Sequence, residues 1–146
     1  MSVVALFTWI ATVLFGLLLL VIWLMEYDRE YQNEAATRLP IPVISAHALL
    51  GMGGLLLWAI YLLADQERVA WATVAVVTTV ACLGLIMAVR WIGVYRTYAD
   101  PNPSLSRSVA VPPERHFPLP VVVTHGVLAI TTVGLVLFSV FFASGS

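Results

Sequence analysis

Leu39-Pro-Ile-Pro-Val-Ile-Ser-Ala-His47-Ala-Leu-Leu-Gly51 and Phe117-Pro-Leu-Pro-Val-Val-Val-Thr-His125-Gly-Val-Leu-Ala129 are two versions of one segment, 78 residues apart. Each opens on a Pro-x-Pro pair and sets one histidine five residues past the second proline, inside an apolar run. An ionisable side chain in a long apolar stretch is costly, so its recurrence in the same local sequence points to a paired role.

The repeat extends outward from the histidines. Trp23-Leu-Met-Glu-Tyr27 matches Trp91-Ile-Gly-Val-Tyr95 at an offset of 68 residues, so the loop of the second copy is ten residues longer. The extra length lies around Asp100-Pro-Asn-Pro-Ser104 and Val111-Pro-Pro-Glu114. The chain reads as a single domain, 1–146, made of two helix-loop-helix units, about 3–64 and about 69–143. With an even number of helices per unit, both copies run the same way.

Composition decides the environment. In 146 residues, 61% are hydrophobic and 10% charged, and the mean hydropathy is +0.97. These values exclude an ordinary soluble globule. Four stretches without Asp, Glu, Lys or Arg run over 3–25, 39–64, 69–89 and 117 to about 142. Each reaches the roughly 20 residues that a bilayer crossing requires. The first lacks the basic start and small-residue cleavage site of a signal peptide, and is read as a spanning helix. The expected fold is an all-α membrane protein: four transmembrane helices in an up-down bundle of two duplicated hairpins.

All seven basic residues are arginines, and six of them, Arg29, Arg38, Arg90, Arg96, Arg107 and Arg115, fall in the loops after the first and third spans. Only Arg68 lies on the other side. The positive-inside rule places those loops in the cytoplasm and both termini outside, as in an integral protein of a bacterial inner (plasma) membrane. The partner this implies is the lipid bilayer, and a net charge of −1 without basic runs points away from nucleic acid.

Proline is tolerated in a helix's first turn, so Pro40/Pro42 and Pro118/Pro120 mark helix starts. Both histidines then lie about 7–8 Å past those starts, at equal depth. In an up-down bundle the second and fourth helices are diagonal, so the two imidazoles face each other across the core. Two level, opposed imidazoles form a bis-axial clamp of the kind that holds haem iron. Gly51, Gly53, Gly54, Gly126 and Ala129 offer room beside them, although small residues also serve close helix packing. Arg38, Arg115, Arg90 and His116 are candidates to bind haem propionates as well as to anchor topology.

Other readings of the histidines are a copper or zinc site, for which Cys82 or Met52 would have to join them, and a structural or proton-relay pair. Lone Cys82 reads as a small apolar residue. Trp23, Tyr27, Trp91 and Tyr95 at one boundary, with Trp58, Tyr61 and Trp71 at the other, read as interfacial belts. Glu26, Glu30 and Glu34 share one face of a solvated helix extension. No phosphate loop, nucleophile elbow, His-Glu-x-x-His or Cys-x-x-Cys-His motif occurs, so catalytic residues are not assigned and any haem is non-covalent.

On these features the chain resembles the small membrane-bound b-type cytochromes built as four-helix bundles with histidine-ligated haem. The resemblance covers all four spans in architecture and rests on His47 and His125. It implies one haem b between them and one-electron exchange with a quinone or a larger respiratory or oxidoreductase complex, in an electron-transfer protein or subunit more than a stand-alone enzyme. Many such proteins carry two haems on four histidines; two intramembrane histidines allow one. The alternatives are a non-enzymatic accessory or assembly subunit, and a small metal or ion transporter.

Overall fold

The structure, a computed structural model, describes residues 1–27, 37–99 and 112–142. They form four α-helices, α1 (Ser2–Glu26), α2 (Ile41–Ala64), α3 (Glu67–Ala99) and α4 (Leu119–Phe142), with a short 3-10 turn (Pro113–His116) leading into α4. All four helices are long and apolar enough to cross a membrane. The end of the bundle at the α1–α2 and α3–α4 connections is called here the arginine-rich end; the opposite one, with Ser2 and Phe142, is the terminal end.

The prolines start helices as the sequence predicts, and in the same way twice. The Pro40 carbonyl accepts the Val43 and Ile44 N–H groups at 2.9 and 3.1 Å, and the Pro118 carbonyl accepts those of Val121 and Val122 at 3.0 and 3.1 Å. α2 stops at Asp65, which takes the left-handed conformation (φ 49°) and donates its N–H to the Tyr61 carbonyl at 2.9 Å. Asp is one of the few non-glycine types that enters that region at low cost. α3 continues ten residues beyond the apolar stretch that ends at Val89. Arg90 and Arg96 lie on this extension and are exposed, as arginines do when their charge reaches water at a helix end. The acidic residues at 30 and 34, Arg29, Arg107 and the proline-rich insertion at 100–111 lie outside the described residues.

α1 packs most extensively on α4, and α2 on α3; the α1/α2 and α3/α4 seams are narrower. Among the described residues, α2 and α4 make no backbone approach, nor do α1 and α3, so both pairs are diagonal. The expected up-down bundle is therefore present with pseudo-twofold symmetry. Exchanging the two hairpins turns the α1/α4 pair into α3/α2.

Two buried apolar clusters fill the core at different levels. Ala5, Trp9, Trp58, Ala70, Val77, Val136 and Val140 form one toward the terminal end, and Trp23, Leu39 and Ile44 the other toward the arginine-rich end. Trp58 and Trp23 stand near the helix ends where interfacial belts are expected, but they turn inward. Their indole N–H groups explain it: Trp58 donates to the Ser2 carbonyl at 3.0 Å and Trp23 to Thr37 Oγ1 at 3.4 Å, so each polar edge finds a partner inside the protein. Trp71 remains exposed, 44%, as a belt residue should.

At the arginine-rich end, fully buried Glu114 joins the two loops. Its carboxylate accepts from Thr37 Oγ1 at 3.1 Å and from the Arg38 backbone N–H, while Arg90 donates to the Arg38 carbonyl at 3.0 Å.

Trp9 shows how tightly the terminal half is fitted. Its indole donates to the Gly51 carbonyl at 3.1 Å, and a methyl placed on Gly54 would lie 2.7 Å from its ring. A methyl on neighbouring Gly53 would meet nothing within 4 Å. Gly54→Ala should thus lower the thermal midpoint in detergent and change tryptophan emission, whereas Gly53→Ala should be neutral or raise the midpoint, because Ala stabilises a helix by roughly 0.5–1 kcal/mol over Gly. Equal midpoints for the two variants would contradict this packing.

Candidate functional site

His47 on α2 and His125 on α4 meet in the layer between the two apolar clusters. Their ring centres are 6.3 Å apart with planes inclined at 69°. Both are part-buried within their spans.

Each ring is anchored by the same device. His47 Nδ1 lies 3.0 Å from the Val80 carbonyl on α3, and His125 Nδ1 lies 3.0 Å from the Thr12 carbonyl on α1. A carbonyl oxygen only accepts, so both Nδ1 atoms carry the proton, and both Nε2 atoms keep a free lone pair. Four residues on from each acceptor stands a glycine: Gly84 after Val80 and Gly16 after Thr12. A methyl on Gly84 would lie 3.0 Å from His47 Cε1, and one on Gly16 would lie 3.0 Å from His125 Cε1. In a helix the carbonyl of residue i already accepts the N–H of residue i+4. The absent Cβ at i+4 uncovers the second lone pair of that oxygen, and the imidazole lies flat against the backbone to reach it.

Thr12 adds a contact that the other copy lacks. Its hydroxyl donates to the Thr8 carbonyl at 2.8 Å and lies 3.1 Å from the Thr132 hydroxyl, both groups being buried. The aligned positions are Val80 and Gly54, which have no hydroxyl.

The small residues that the sequence nominates have other neighbours. Gly51 is 3.9 Å, measured from a methyl placed on it, from Val80 Cγ1 and gives its carbonyl to Trp9; Gly54 seats the Trp9 ring. Gly126, beside His125, faces open space. The glycines that touch the imidazoles are Gly16 and Gly84, which the sequence reading passed over. The 68-residue offset that aligns Trp23 with Trp91 also aligns Gly16 with Gly84 and Thr12 with Val80, so the signal was present in the repeat.

The charged candidates gather at the arginine-rich end, away from the ring pair. Arg38 meets Glu114 through its backbone N–H alone, Arg90 donates to the Arg38 carbonyl, Arg115 is part-buried in the 3-10 turn, and His116 Nδ1 lies 3.6 Å from Glu26 Oε2 with both side chains nearly half exposed. Among the described residues no group of three His, Cys, Asp or Glu is placed to hold a metal ion. Cys82 is exposed on α3 and does not join the histidines in such a group.

Compared with protein-family models, curated proteins and solved structures, the chain matches none of them.

The anchoring geometry fixes a tautomer that spectroscopy can read. In histidine-labelled, ligand-free protein in bilayers, nitrogen NMR at neutral pH should show both intramembrane rings protonated at Nδ1 and bare at Nε2. Gly16→Ala should perturb the His125 signals and spare those of His47, and Gly84→Ala should do the reverse. Two rings protonated at Nε2 would contradict the anchoring.

Proposed function

We propose that the chain is a membrane b-type cytochrome that holds one haem b between His47 and His125 and exchanges single electrons with a quinone or a membrane redox complex. The observation that carries this reading is the level pair of imidazoles, each with Nδ1 committed to a backbone carbonyl and Nε2 free. That is how a histidine ligand is prepared: the outer hydrogen bond sets tautomer and ring orientation and raises the basicity of the ligating nitrogen.

The spacing fits such a pair. A metal–imidazole bond of about 2.0 Å and a further ~1.1 Å to the ring centre put two ligands on opposite sides of one metal about 6.2 Å apart. The rings stand 6.3 Å apart. A bis-histidine iron needs no further protein ligand, whereas zinc in a protein takes three or four. Of the metal readings, the described donor set therefore suits haem best.

When bound, haem supplies the one-electron couple. What the chain supplies is the rest. The carbonyls of Val80 and Thr12 hold the two imidazoles, while the two apolar clusters lie above and below the layer and lower its polarity. With His47 and His125 both serving as ligands, no position on the iron would be left for a gas, which would favour electron transfer. The ring layer lies nearer the arginine-rich end, where Arg38, Arg90, Arg115 and His116 offer positive or hydrogen-bonding groups for the propionates. That end faces the cytoplasm in this reading, because it carries six of the seven arginines.

Protein purified in detergent from haem-replete cells should be red, with a Soret band and sharp reduced α and β bands. His47→Ala and His125→Ala should each abolish bis-histidine absorption, since one remaining ligand does not complete the pair. A colourless wild-type protein would sink the proposal, and metal analysis of that sample would then test the transporter alternative. Orientation is checked separately: a reporter active only in the cytoplasm should work when inserted in either arginine-rich loop and fail when fused to either terminus.

A further inference from the structure

The pseudo-twofold bundle is unequal at its two narrow seams. The α1/α2 seam is stapled at three heights by indoles: Trp58 to the Ser2 carbonyl at 3.0 Å, Trp9 to the Gly51 carbonyl at 3.1 Å, and Trp23 to Thr37 at 3.4 Å. Of these, Trp9 lies closest to the histidine layer, one turn beyond His47, with its ring filling the notch over Gly54.

At the α3/α4 seam the position aligned with Trp23 is again a buried tryptophan, Trp91, whereas those aligned with Trp9 and Trp58 are Val77 and Val136, buried in the same cluster but with no donor and far less bulk. Gly126 stands next to His125, and a methyl there would meet nothing within 4 Å. Successive helical residues are about 100° apart, so Gly126 lies about 100° round from His125 and about 60° from Phe141. Phe141, half exposed on the outer side of α4, meets Trp71 of α3 edge to face with ring centres 5.1 Å apart, so α3 lies on the side of His125 on which Gly126 also falls. On α2 the position aligned with Gly126 is Ala48, on the stapled side.

A ligand bound between the histidines must cross the wall of the bundle, because the buried clusters block both ends of the core. For a planar, largely apolar macrocycle dissolved in lipid, the path of least obstruction is the seam that, among the described residues, lacks the Trp9 and Trp58 staples and has a missing side chain at ring height. We infer that the α3/α4 seam, at Gly126, is the lateral port through which haem passes from the bilayer to the histidine pair. The inference rests on the haem reading and adds to it a direction of entry. The closed α1/α2 seam acts as the hinge side, held by its tryptophans while α3 and α4 part.

The test measures uptake, not electron transfer. Full-length apoprotein in liposomes is mixed with hemin, and the growth of the bis-histidine Soret band gives the rate of loading. Gly126→Leu should slow loading about tenfold or more, as expected when a barrier rises by roughly 1.4 kcal/mol. Ala48→Leu, the same bulk on the stapled flank, should leave the rate within about twofold. Gly126→Leu protein made in haem-replete cells should carry the wild-type spectrum, which separates a blocked path from a spoiled site. Should that variant hold no haem at all, a second measurement decides. With Cys82→Ser as background, Trp71→Cys and Phe141→Cys are bridged by a thiol-cleavable crosslinker; loading should slow when bridged and recover on cleavage, and an unchanged rate overturns the port. Equal slowing by Gly126→Leu and Ala48→Leu, or no slowing by Gly126→Leu, also overturns it while leaving haem binding intact. A wild-type protein that never gains a Soret band overturns both readings.

Discussion

The demand that an imidazole N–H find a partner in a medium without water governs this structure. An unsatisfied polar group in hydrocarbon costs several kcal/mol, while a hydrogen bond between membrane helices contributes about 0.6 kcal/mol on average. The bond is thus a weak glue and a strong constraint: it adds little stability, but its absence is not tolerated. His47 and His125 both meet the constraint with a backbone carbonyl of the neighbouring helix, 3.0 Å away in each case. Only a glycine one turn further along lets the ring come close enough, so Gly84 and Gly16 are part of the histidine sites although they offer no side chain. The same two contacts lie in the two broad seams: α2 against α3 and α4 against α1.

Pairing across the repeat, not within it, has a structural consequence. Each hairpin contributes its histidine to a layer whose support comes from the other hairpin, so neither half is complete alone. The departures from symmetry are then informative. Trp9 and Trp58 fill the terminal half on one side where Val77 and Val136 stand on the other, and the Thr12–Thr132 contact has no counterpart in Val80 and Gly54. The terminal half is closed by bulk, the arginine-rich half by the Glu114 junction, and the ring layer lies between them. Fully buried Glu114 belongs to the lengthened second loop. Its hydrogen bonds to Thr37 and to the Arg38 N–H tie that loop to the start of α2.

Much of this was legible in the sequence, for physical reasons that differ from residue to residue. Apolar length fixed four spans because bilayer thickness is a coarse ruler. The Pro-x-Pro pairs located two helix starts because proline removes a donor that the first turn does not need. The histidine pairing followed from the repeat. Gly16 and Gly84 escaped because a glycine in an apolar span says nothing of what lies against it; the clue was relational, in the shared 68-residue offset. Gly51 and Gly54 looked like room for a ligand and instead accommodate Trp9, since a cavity for an indole and a cavity for a cofactor have the same signature in sequence. Trp58 and Trp23 sit at the expected levels but point inward, because an indole at a helix end is content wherever its N–H finds an oxygen, in a headgroup or in a Ser2 carbonyl.

A duplicated hairpin that closes about a twofold axis turns any inward residue near that axis into a facing pair. Evolution of one histidine with its carbonyl and glycine therefore yields two, already level and opposed, with ring centres 6.3 Å apart. A site that needs two identical donors on opposite sides of one centre is the chemistry such an axis supplies without further design. A site that needs three or four different donors is not, because symmetry multiplies donors in twos and each added pair has to be placed near the same axis inside lipid. Symmetry alone, however, would leave the two narrow seams equivalent and the bundle equally open or equally closed on both. Trp9 and Trp58 break that equivalence with two large, hydrogen-bonded side chains on one seam where the smaller Val77 and Val136 stand on the other.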